Sequence, residues 1–217
     1  MIRGRRPGCA RGAVLLAALL GATGCTMAVD GVPTAEAPAA LPGSAEELEG
    51  LLVTDVPSGL PRVPDEELQP LAGPKHAEDL AAYAQDPERE REVLEEHGYR
   101  FGWERFWAAG PGHVTGVFVY RFENRAGAGA YAEDLARNEA EHYAADVDDQ
   151  PPGLPGGCRL LEVDAPRDGT LTGPAAFAWC GHGVFSLGVT AVAPSADAAE
   201  DEVRAVLAEQ LDRLPPG

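Results

Sequence analysis

Apolar residues recur along the chain at two spacings, and each spacing marks out its own elements. Behind Ser44-Ala45-Glu46-Glu47, a capping-box sequence, Leu48, Leu51 and Leu52 fall on one helical face and predict a short helix. Residues 53–74 are interrupted by Pro57, Pro61, Pro64, Pro70 and Pro74, which deny them regular structure beyond a turn or two and predict an extended surface arm. Residues 76–85 then make a charged amphipathic helix. A second runs through residue 96, with Asp86 as N-cap, Pro87 at its first position and Gly98 as its stop.

The pattern next shifts to period two. Residues 99–108 and 114–122 are rich in aromatic and β-branched side chains and are joined by Ala109-Gly110-Pro111-Gly112-His113, a hairpin signature. Alternation places Tyr99, Phe101, Trp103 and Trp107 on one face and Phe106 on the other. Residues 124–145 form an alanine-rich helix with Ala130, Tyr131, Leu135 and Asn138 inward. A Pro/Gly loop leads to a meander of three strands, 158–164, 174–180 and 184–192. A last helix starts at Ser195 and runs through Leu214, with Val203, Leu207, Leu211 and Leu214 sharing a face. The order ααββαβββα predicts an α+β domain over residues 44–217, an antiparallel sheet of about five strands (hairpin plus three-strand meander) with helices packed on it.

The N-terminus has a different character. Arg3, Arg5, Arg6 and Arg11 precede eight apolar residues, Ala13 to Leu20, and small residues follow, which is the order of an export signal. Eight residues fall far short of the roughly 20 a bilayer span needs, so residues 1–24 read as a signal peptide. Pro7 and Gly8 stand where a twin-arginine signal would be apolar. At Thr23-Gly24-Cys25 the chain resembles bacterial lipoproteins, in which small residues precede a cysteine that takes the lipid and becomes the first mature residue. Ala22 departs from the leucine usual in that family, and Ala22-Thr23-Gly24 also satisfies cleavage for plain secretion. The resemblance implies lipidation of Cys25 and a membrane-anchored, extracytoplasmic protein, with residues 25–43 as a disordered, Pro- and Ala-rich tether reaching about 25 Å. The alternative is release into the medium.

Export changes how the remaining cysteines read. Cys158 and Cys180 are the pair left beyond Cys25, and they lie symmetrically about a turn candidate at Pro166-Arg167-Asp168-Gly169, which predicts opposed positions on neighbouring strands and a disulfide. A formal net charge of −18 disfavours nucleic acid and anionic lipid headgroups, and losing the signal removes four arginines and no acid.

Candidate chemistry is sparse. Gly127-Ala128-Gly129-Ala130-Tyr131-Ala132 has dinucleotide-turn spacing but follows an antiparallel-type strand at a distance, and reads as small-residue helix packing. Glu139 and His142 share a helical face without the further ligands a metal site needs. Asp146, Asp148 and Asp149 lack the glycine and final glutamate of a calcium loop. No serine lies in a nucleophile elbow. The expectations are therefore no metal, no cofactor and no catalytic residue. The densest feature is the aromatic hairpin, where Trp103, Trp107 and loop residue His113 are the candidate ligand-binding residues beside the plainer reading as core.

The stretch Val117-Phe118-Val119-Tyr120-Arg121-Phe122 leading into a helix with Tyr131, followed by Trp179-Cys180-Gly181, resembles small actinobacterial envelope lipoproteins and related extracellular sensor-type domains. The likeness implies a non-catalytic surface domain with a cleft for an unknown small ligand or envelope component. A structural or protein-interaction module of the envelope is the alternative, and an exported hydrolase acting through paired carboxylates ranks behind both.

Overall fold

Side chains take over the free N–H groups at the start of each long helix, and they do so where the sequence places caps. The structure, a computed structural model, describes residues 40–164 and 171–216; the expected signal peptide, Cys25, most of the expected tether and the turn candidate at Pro166 to Gly169 lie outside the described residues. Ser44 caps α1 (Ala45–Glu49), and Asp86 caps α3 (Pro87–His97), which ends on the left-handed Gly98 at φ 76°. Asn124 caps α4 (Arg125–Tyr143), and Ser195 caps α5 (Ala196–Arg213). The helix expected over 76–85 is shorter: α2 spans Ala77–Ala81, and turns carry the chain on to Asp86.

The strands form one antiparallel sheet of seven rather than about five, in the order β1-β2-β3-β7-β6-β5-β4. The hairpin is β2 (Tyr99–Ala108) and β3 (Val114–Phe122), and the meander is β5 (Cys158–Val163), β6 (Ala175–His182) and β7 (Phe185–Val192). Pairing of β3 with β7 joins hairpin to meander. The two additional strands, β1 (Gly73–Lys75) and β4 (Val147–Asp148), are edge strands of three and two residues. Runs that short carry no readable alternation, and Pro74 suits an edge where its missing N–H is not needed. The α+β class stands, with α5 and α1 against one sheet face and α2, α3 and α4 on the other.

Two further expectations are corrected. Residues 53–74 are not simply a surface arm, because Val53 and Val56 are buried in the main core. Proline forbids regular structure here but not burial, provided the backbone finds side-chain partners. Gln210 of α5 accepts from the Val53 N–H and donates to the Leu51 carbonyl, both at 2.9 Å. Arg105 donates to the Val53 carbonyl at 2.8 Å, and the Trp107 indole N–H donates to the Thr54 carbonyl at 3.3 Å. Glu202 accepts from both the backbone and the hydroxyl of Ser58, at 2.9 and 2.6 Å.

The second correction is Tyr99. A register shift between Tyr99 and Phe101 inserts Arg100 as an extra residue opposite β3. Tyr99 is thereby turned away from the Phe101, Trp103 and Trp107 face, and its ring packs edge-on against Tyr120 and Phe122.

Cys158 and Cys180 are directly paired across β5 and β6 and form a disulfide in the α5-side core. The bond closes a 22-residue separation, so replacing both cysteines by alanine is expected to cost about 3 kcal/mol. Urea unfolding of the variant against wild type, both without reductant, measures the difference. No helix among the described residues is long and apolar enough to cross a membrane.

Candidate functional site

On the sheet face under α2, α3 and α4, side chains of alternating strand positions meet the inner side of α4 without filling the space between. Phe118 and Tyr120 of β3, Phe177 and Trp179 of β6, and Glu104 of β2 form the floor; Tyr131, Leu135 and Glu139 of α4 form a wall. They line an open cavity of about 330 Å³. Gly188 of β7 keeps the floor low between Phe118 and Trp179: a Cβ there would stand 3.6 Å from each. Phe177 and Trp179 lie parallel, with ring centroids 5.8 Å apart and an interplanar angle of 3°. Tyr83, 45% exposed on the turn after α2, stands at the rim.

Helix α4 can wall the cavity because its first turn sits very close to the end of α3. A Cβ on Gly127 would lie 1.9 Å from the His97 carbonyl oxygen, so only glycine permits this approach. His97 and Asp134 tie the helices again two turns further along α4, at 3.1 Å. The small residues of the Gly127 to Ala132 stretch thus serve helix packing.

Glu104 is the centre of a buried polar cluster at one end of the cavity. Its Oε1 accepts from the Tyr120 hydroxyl at 2.8 Å; its Oε2 accepts from the Tyr83 hydroxyl at 3.2 Å and lies 3.4 Å from the Lys75 ammonium. Lys75 also donates to the Leu71 carbonyl, while Tyr99 donates to the Lys75 carbonyl. Strand pairing brings these groups together: Lys75 is opposite Gly102, and Gly102 is opposite Tyr120. The missing side chain at Gly102 makes room for the Tyr120 ring, whose Cδ1 would stand 2.3 Å from a Cβ there.

Burial pushes the Glu104 carboxyl above the usual carboxylate range, with Lys75, Tyr120 and Tyr83 pulling it partly back. Burial, then the charge of Glu104, holds the Tyr120 phenol well above its ordinary value; burial and Glu90 do the same to Tyr131, which donates to Glu90 at 3.2 Å. Glu139 is also raised by burial, and His142 draws it back in part.

The structure does not bring Trp103, Trp107 and His113 into this cavity. Trp103 and Trp107, 6% and 1% exposed, belong to the core on the opposite sheet face, and His113 is exposed in the hairpin loop. Trp179, Tyr131 and Glu139 do line it. Sequence reasoning missed Glu104, Gly188 and the Lys75 partnership. The one local signal was Glu104 itself, the single acid in the two strands of the aromatic hairpin.

Among the described residues, no group of three or more His, Cys, Asp and Glu side chains is placed to hold a metal. Residues 55–215 match the family model described as "Domain of unknown function (DUF7373) N-terminal". No curated protein and no solved structure matches the chain.

Proposed function

The chain belongs to the DUF7373 N-terminal domain family, and from that starting point we propose that it is a surface-tethered domain that binds a small ligand in the cavity between the sheet and α4. The observation that carries this reading is the cavity: about 330 Å³, walled largely by aromatic side chains, with a few convergent polar groups and carboxyls shifted by burial. Pockets of that size and lining suit small molecules. Lipid on Cys25 anchors the domain and residues 26–43 space it from the membrane. A core disulfide fits an oxidising compartment.

Binding is favoured over hydrolysis by the state of Glu104. Both its oxygens are engaged by Tyr120, Tyr83 and Lys75, so it serves as a fixed floor group and not as one half of an acid pair facing a water.

Native mass spectrometry of protein purified gently from its own cell tests the proposal. Wild type is expected to carry a small molecule that Gly188→Leu loses, because leucine rising from the floor fills the cavity while leaving the circular dichroism unchanged. Intact masses of the same samples report a diacylglycerol adduct on Cys25. Equal masses for both proteins, with no thermal shift across lipids, glycans and metals, would sink the binding reading. An unmodified Cys25 would replace the anchor by secretion.

A further inference from the structure

The charge of the cavity lining is one-sided. Glu90, Glu104 and Glu139 line it, and among the described residues no lysine, arginine or histidine does. Two of the three acids are already answered. Glu104 has Lys75, whose ammonium is itself buried and outside the lining, and Glu90 accepts from Tyr131. Glu139, half-buried on α4, lines the pocket together with Leu135, Asn138, Phe177 and Trp179. Burial there disfavours its ionised form more than His142 compensates. A partly desolvated carboxylate in an aromatic-lined pocket is complementary to a cation, because the apolar walls weaken screening of its charge and aromatic rings attract cations. An anion would meet three acids and no base.

We propose that the ligand is an organic cation, a protonated or quaternary amine carried on an apolar body, with Glu139 as counter-charge and Tyr131 and Trp179 as the aromatic side chains beside it. The inference rests on the cavity being a ligand site, as proposed above. The apolar body lies over Gly188 between Phe118 and Trp179, and the charged end lies toward α4. Glu139 is half-buried on a helix, so replacing it does not threaten the core.

Three probes of matched shape separate the possibilities by isothermal titration at constant ionic strength. They are 4-hydroxyphenethyltrimethylammonium, its neutral isostere 4-(3,3-dimethylbutyl)phenol, and the anion 3-(4-hydroxyphenyl)propanoate. The cation is expected to bind on the order of tenfold or more tighter than the neutral isostere, and the anion weakest. Glu139→Gln is expected to remove about tenfold of the cation's affinity and leave the neutral isostere's unchanged. Gly188→Leu removes both. Equal binding of cation and neutral probe, or a preference that survives Glu139→Gln, overturns the cation proposal while leaving the cavity as a binding site. If no probe binds wild type and native protein carries no Gly188→Leu-sensitive species, the site reading falls together with it.

Discussion

Lys75→Met is expected to cost the domain about 3–5 kcal/mol, because it leaves the Glu104 carboxylate buried without its cation. Both groups are 3% exposed and 3.4 Å apart. The tyrosine hydroxyls on Glu104 remain in the variant, but two neutral donors replace neither the charge nor the desolvation already suffered. Lys75→Met combined with Glu104→Leu is expected to recover much of the loss, since an apolar pair of similar bulk no longer carries an ion into the core. Urea unfolding of the four proteins in a double-mutant cycle measures the coupling. Additive losses would show that the pair contributes nothing beyond its separate contacts.

The pH dependence follows from the same pair. Burial raises Glu104 in the native state, so over the window above the ordinary carboxylate value the folded protein holds more protons at this group than the unfolded chain does. Stability from this group therefore falls as pH rises through that window and is regained on acidification. Removing Lys75 takes away a charge that pulls the carboxyl down, so the deficit of Lys75→Met should shrink as pH is lowered, and unfolding midpoints at several pH values record it.

Trp107→Ala is expected to destabilise by about 3–5 kcal/mol while leaving occupancy of the cavity unchanged in the folded protein. The side chain is 1% exposed, packs in the core below α5, and spends its indole N–H on the Thr54 carbonyl. The cavity lies across the sheet from it. A urea midpoint combined with native mass spectrometry distinguishes this from a ligand-contacting role, in which bound material would be lost with little change in stability.

How far the chain could be read beforehand depended on how local each signal was. The strands Tyr99–Ala108 and Val114–Phe122 were legible to the residue because aromatic and β-branched runs flank a Gly-Pro-Gly loop. Asp86-Pro87 and Ser195 announced their helices for equally local reasons, and the spacing of Cys158 and Cys180 about a turn foretold their pairing. The edge strands Gly73–Lys75 and Val147–Asp148 were not legible, since their extended form is imposed by the neighbour they pair with. One extra residue, Arg100, was enough to move Tyr99 to the other face. The cavity was hidden for a stronger reason. Glu104, Gly188 and Glu139 come from β2, β7 and α4, and only the pairing of β3 with β7 sets them around one space. Trp103 and Trp107 drew attention as large aromatic residues, but size without a neighbour list does not tell core from pocket.

The clamp of Gln210 on Leu51 and Val53 joins positions 159 and 157 residues apart in sequence. Closing so long a loop in an open chain has an entropic cost that no pair of hydrogen bonds recovers alone. The seal forms once the sheet has already brought the two ends together. Arg105 and Trp107, which hold the Val53 and Thr54 carbonyls, lie only 52 and 53 residues along the chain, so this segment gains its nearer partners at lower loop-closure cost and α5 supplies the most distant ones.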